Sequence, residues 1–118
     1  MSEVSIYHNP RCSKSRQTLE ILHQEGIQPS VVLYLDSPPD KSTLKRLVQL
    51  LGLDSARDLM RKGEALYREM GLDDPDLNED ELLQAMVEHP ILMERPVVVV
   101  GNEKAIIGRP PERIRQIL

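Results

Sequence analysis

Val4-Ser5-Ile6-Tyr7-His8-Asn9-Pro10-Arg11-Cys12-Ser13 changes character within a few residues. Val4–Tyr7 alternates as a short strand does. His8–Ser13 is a polar turn with a proline in it, and Ser13 is placed to cap a helix that carries Leu19 and Leu22 and stops at Gly26. Ser30–Leu35 is β-branched and apolar enough for a second, buried strand. A strand, a helix and a second strand at this spacing make two parallel strands joined by a crossover helix.

Outward from that unit, Asp36–Asp40 breaks the chain and leads into a helix. There Leu44, Leu47, Val48 and Leu51 recur at i, i+3, i+4 and i+7, with Gly52 after them. Asp54–Gly71 suggests a short helix, a break near Gly63 and a further turn. Asp73–Asp76 is an acidic loop without the ligand spacing of a calcium site. Asn78 and Glu81 have capping-box spacing ahead of a stripe of Leu82, Leu83, Met86 and Val87, and Pro90 ends that helix. Val97–Val100, the loop Gly101–Lys104 and Ala105–Gly108 read as an antiparallel hairpin with a four-residue loop. Pro110 and Pro111 start a final helix with Ile114, Ile117 and Leu118. The order is β-α-β, helices, then β-β-α. It implies one α/β domain over 1–118, with a helical insertion at about 41–90.

Composition narrows the function. Of 118 residues 40% are apolar, enough for a core, but there is no Phe or Trp and only three Tyr. With 19 acidic and 15 basic residues the net charge is −4. A basic nucleic-acid surface and aromatic base-stacking platforms are therefore not expected. No apolar run approaches the roughly 20 residues that cross a bilayer. Ser2 and Glu3 stand where a secretory signal would carry basic and apolar segments, and the single cysteine permits no internal disulfide. A cytoplasmic protein is expected.

Cys12 lies where a strand gives way to a helix, near unpaired N–H groups and the positive end of the helix dipole. Both favour thiolate over thiol. Arg11, Lys14 and Arg16 add positive charge, and His8 sits four residues before the cysteine, within reach in a tight loop. A lone cysteine is more commonly a small buried hydrophobe, but these polar, cationic flanks do not suit a core position. The spacing His8-x3-Cys12-x3-Arg16 also suits an oxyanion. Pro96, entering a strand after Arg95, is either a cis-proline beside the cysteine loop or an ordinary edge-strand proline. His23 and His89 have no partners at metal-ligand spacing.

The run Tyr7–Arg16 resembles the ArsC family, the glutaredoxin-linked arsenate reductases. The similarity continues through Tyr34–Pro39, Leu59–Lys62, His89–Pro96 and Ile107–Pro110, in order and with compatible gaps. It is nearest to the chromosomal, YfgD-like branch of that family. The resemblance implies a thioredoxin/glutaredoxin-like mixed four-stranded sheet. It matches Cys12 to the nucleophile and His8 to the histidine that helps depress the thiol pKa. Arg61, Arg95 and Arg109 match the arginines that hold the arsenic oxyanion. Pro96 matches the structural cis-proline, and Ser15 and Arg16 match the end of the cysteine motif, with Ser15 a candidate hydrogen-bond donor to thiolate or oxyanion. Arsenate or a similar oxyanion as substrate, glutathione as co-substrate, glutaredoxin as partner and no bound cofactor or metal follow from the same resemblance.

Dedicated arsenate reductases have small, uncharged residues around the cysteine; here Arg11 precedes it and Ser13 and Lys14 follow, so Arg11 and Lys14 add positive charge. The alternatives are a thiol-handling ArsC-like protein that reacts with glutathione or another thiol, and a Spx-like non-enzymatic regulator. The absence of a C-x-x-C pair argues against a Spx-type disulfide switch.

Overall fold

The computed structural model describes residues 3–118; Ser2, part of the expected N-terminal pattern, lies outside them. The chain forms two compact units. One runs through Ser37 and resumes over Arg95–Leu118, and the other is Pro38–Glu94. The insertion expected at about 41–90 falls inside the second.

The first unit is a four-stranded sheet built from β1 (Val4–Tyr7), β2 (Ser30–Val32), β3 (Val97–Val100) and β4 (Lys104–Ile107), in the order β2-β1-β3-β4. β1 pairs parallel with β2 and antiparallel with β3, and β3 pairs antiparallel with β4. One row across the sheet is Val31, Ile6, Val98 and Ile106. Ile6, Val98 and Ile106 join Ile21 and Leu22 of helix α1 (Ser13–Gln24) and Ile114 in an aliphatic core. Burying side chains of this size stabilises by about 1.5–3 kcal/mol each before entropy is counted. α1 ends as expected at Gly26. Its φ of +76° lets the N–H groups of Gly26 and Ile27 return to the carbonyls of His23 and Leu22.

Four local expectations are corrected here. The helix begins one residue earlier than the Ser13 cap implied: Cys12 is the N-cap and Ser13 the first helical residue. The second strand is shorter and sits on the sheet edge, with Val31 46% exposed, so it is not a buried strand. The chain turns at once, the N–H groups of Asp36 and Ser37 closing on the Leu33 carbonyl, which buries Tyr34 and leaves Leu33 and Leu35 exposed. The hairpin loop is three residues long, because Lys104 already pairs with Val100. The final segment, Pro111–Ile117, is a 3-10 helix. It still delivers Ile114 to the core.

The second unit holds α2 (Lys41–Leu50), α3 (Ala65–Glu69) and α4 (Glu79–Glu88), with 3-10 turns at Ala56–Leu59 and Pro90–Leu92. Leu44 and Leu47 of α2 and Leu82, Leu83, Ala85 and Met86 of α4 are buried. Asp40 caps α2 by accepting from the Thr43 N–H, which holds its carboxyl below the usual range. Asn78 and Glu81 make the expected capping box. Among the described residues no helix is long and apolar enough to cross a membrane.

Candidate active site around Cys12

The loop between β1 and α1 is braced by its own main chain. The Cys12 N–H donates to the Asn9 carbonyl at 3.0 Å, and the Arg11 N–H donates to Asn9 Oδ1 at 3.0 Å. Asn9 therefore organises the turn, a role that its position before Pro10 made findable, since Asn-Pro is a turn signal. Arg16 Nη1 reaches back to the Pro10 carbonyl at 2.9 Å.

Beneath the loop lies a buried polar pair. His8 Nδ1 and Ser15 Oγ are 2.6 Å apart, and the Asn9 N–H donates to the same Ser15 oxygen at 3.1 Å. Burial holds the His8 pKa below its ordinary value, and the Arg16 charge lowers it further. The imidazole is thus biased to its neutral form. With Asn9 donating into one lone pair of Ser15 Oγ, the hydroxyl keeps a second lone pair and its proton for the contact with Nδ1. The Ser15 side chain, fully buried, is committed to these two partners.

Cys12 is half-buried, and its pKa is set by opposed effects. Burial pushes the thiol up. The Ser15 N–H, the Arg95 guanidinium, the Lys14 N–H and the Arg109 guanidinium together outweigh it, so the net displacement is downward. Arg109 Nη2 lies 3.7 Å from the sulfur, and Arg109 Nε donates to the Arg95 carbonyl at 2.8 Å. The structure thus gathers Cys12, Arg95 and Arg109, with Ser15 contributing its main chain and not its hydroxyl. His8 is coupled to this group through Ser15.

Two proline bonds frame the arginines: Arg95–Pro96, expected as cis, is cis, and so is Arg109–Pro110, which the sequence did not indicate. Between them Gly108 is buried and donates to the Pro96 carbonyl at 3.0 Å. A Cβ on Gly108 would lie 2.7 Å from Thr18 Oγ1 and 3.0 Å from Pro96 Cγ. Only glycine allows the strand end that carries Arg109 to approach α1 this closely. Thr18, which donates from Oγ1 to the Lys14 carbonyl, and Gly108 were both missed from sequence.

Arg61 belongs to the second unit. Its guanidinium pairs with Glu64 Oε2 at 3.2 Å, and its N–H donates to the Leu92 carbonyl at 2.7 Å. Among the described residues no group of three His, Cys, Asp or Glu side chains is arranged to hold a metal ion.

Compared with known proteins, residues 7–117 match the ArsC family. The chain belongs to the ArsC family. The ArsC-family chain is 57% identical over 116 residues to the "Uncharacterized protein YfgD" of Escherichia coli K12, covering 98% of this chain and 97% of that protein. It is 53% identical over 118 residues to an arsenate reductase of Neisseria meningitidis serogroup A, with both chains covered completely. The solved structure of an arsenate reductase from Vibrio cholerae superposes with a TM-score of 0.96 at 51% identity, covering 99% of this chain and 98% of that one. The mixed four-stranded sheet with its helices is accordingly the thioredoxin-like architecture of ArsC proteins.

Proposed function

We propose that this ArsC-family protein is a cytoplasmic arsenate reductase that draws electrons from glutathione and glutaredoxin, with Cys12 as nucleophile. The observation that carries the reading is the sulfur at the N-cap of α1 with Arg109 Nη2 3.7 Å away. A thiolate and an oxyanion-binding guanidinium thereby share one small space. Kinship with arsenate reductases over the whole chain supports the same reading.

In the proposed reaction the Cys12 thiolate forms a bond to arsenic(V) and one oxygen leaves as water after protonation. Arg61, Arg95 and Arg109 offset the charge on the remaining oxygens, and Arg16 adds positive charge at the loop. Ser15 and His8 hold the loop geometry, and Pro96 shapes the chain after Arg95. With no second cysteine in the chain, an external thiol must take over. Glutathione displaces a further oxygen as water. A glutaredoxin thiol then attacks the glutathione sulfur, forming a disulfide and leaving the arsenic–sulfur electron pair on arsenic, which becomes arsenic(III). Hydrolysis releases arsenite and restores the thiolate. Two thiols are oxidised for each arsenate reduced.

Coupled turnover with arsenate, glutathione and glutaredoxin tests this directly. Arsenate-dependent consumption of glutathione is the expected result. Its absence, with Cys12 still forming a mixed disulfide with glutathione, overturns arsenate reduction in favour of the thiol-handling reading.

A further inference from the structure

Arg11 and Asp36 set a puzzle on the side of the loop formed by the ends of β1 and β2. Both line one cavity of about 390 Å³, together with Asn9, Leu33 and Leu35. That volume is within the roughly 300–1,000 Å³ usual for small-molecule sites. Among the described residues neither the Arg11 guanidinium nor the Asp36 carboxylate makes a side-chain hydrogen bond or ion pair, with each other or with any neighbour. Two exposed residues of opposite charge thus line one cavity without a protein partner for either charge. Leu33 and Leu35, 41% and 39% exposed, supply an apolar wall.

A simple anion would meet Arg11 but be opposed by Asp36, and a simple cation would meet the reverse. A zwitterion with an aliphatic stretch satisfies both charges and the leucines. Arg11 directly precedes Cys12, so their Cα atoms are about 3.8 Å apart, whereas an extended tripeptide spans roughly 10 Å. Cys12 does not itself line the cavity, but a ligand of that length anchored at Arg11 is long enough to extend from it to the neighbouring residue. We propose that the cavity lined by Arg11, Asp36, Leu33 and Leu35 is a subsite for a small zwitterionic peptide thiol of the glutathione class. Arg11 takes a carboxylate and Asp36 takes the ammonium group. The proposal rests on the reading of Cys12 as a thiolate that exchanges with glutathione, and it names where that co-substrate sits.

The test follows formation of the Cys12 mixed disulfide by mass spectrometry, with no arsenate present. Cys12 attacks one sulfur of glutathione disulfide, the new sulfur–sulfur bond forms, the old one breaks, and one glutathione leaves as thiolate. Hydroxyethyl disulfide serves as a neutral reference for the intrinsic reactivity of the thiol. Arg11→Gln and Asp36→Asn are each expected to slow the reaction with glutathione disulfide roughly three- to fivefold, the scale of an exposed ion pair, and to change the reference reaction less than about twofold. Asp36→Asn is decisive, because unselective attraction of an anionic disulfide predicts acceleration when a negative charge is removed. With N-acetylated glutathione disulfide, which lacks the ammonium and is more anionic, Asp36→Asn should react no more slowly than the parent. An Asp36→Asn protein that reacts with glutathione disulfide as fast as the parent, or faster, overturns the subsite even if arsenate turnover is intact. Selective slowing in a parent background that does not turn over arsenate upholds the subsite and overturns only the arsenate reading.

Discussion

The two units use their charges differently. In the helical unit, cations pair with neighbours: Lys41 with Asp80, Lys62 with Asp58 and Arg61 with Glu64, while Arg57 donates to the carbonyls of Leu72 and Asp74. The lysine pairs are exposed, Lys41–Asp80 joining α2 to α4 and Lys62–Asp58 spanning one turn, so each contributes little alone. The sheet unit too holds such a pair, Arg115 with Glu25, but there Arg95 and Arg109, with the Ser15 and Lys14 N–H groups, lower the pKa of one thiol. The lesson is that an arginine's partner, not its presence, reports its work. In sequence the family resemblance gives Arg61 and Arg109 the same role.

Cys12→Ser is the largest test of that contrast. It should abolish arsenate turnover and leave circular dichroism unchanged, because the residue sits in a polar loop and outside the aliphatic core. Turnover near the parental rate would remove the sheet unit's claim to the chemistry.

Arg109→Gln comes next. Losing one charge-assisted contact in the transition state is worth roughly 1.5–3 kcal/mol, a fall in turnover of about ten- to a hundredfold. It should also move the pH inflection of Cys12 alkylation upward, since Arg109 helps hold the thiol pKa down. Arg61→Gln should lower turnover but leave the alkylation profile in place. A shifted profile in Arg61→Gln would erase the distinction drawn between the two arginines.

Smaller still is Gly108→Ala. Its Cβ meets Thr18 and Pro96, and such overpacking costs about 1–3 kcal/mol. Urea unfolding should show that loss, and adding Thr18→Ala should recover part of it. Strict additivity of the two changes would mean that the close approach is not what glycine provides. At the bottom of the scale, Asn78→Ala removes the α4 capping box for about 1 kcal/mol of stability and leaves turnover per folded molecule unchanged. An effect on the thiol would join what the comparison separates.

Much of this was legible in sequence for identifiable reasons. The Asn78/Glu81 box and the Gly26 stop are local patterns, and the structure keeps both, whereas the i, i+4 spacing of His8 and Cys12 gives way to a bond from His8 to Ser15. The failures concern information that one segment does not hold. Val31–Leu35 is apolar whether it lies inside a sheet or on its edge, and only the strand order makes it an edge. Ser13 is a better cap residue than cysteine by preference, yet the cap falls at Cys12 because the Asn9 turn ends there. Gly108 and Thr18 matter to each other across most of the chain, and no periodicity announces such a meeting.

The cap position of Cys12 also bears on how a reaction cycle ends. A sulfur whose negative charge is held by N–H groups and guanidinium ions attacks somewhat less avidly than an ordinary thiolate, but it is expelled more readily. Any covalent adduct on Cys12 takes that charge away from the helix end, and departure of the sulfur restores it. The same terminus that lowers the thiol pKa therefore makes Cys12, the proposed nucleophile, a good leaving group, which in the proposed reaction favours turnover over permanent capture.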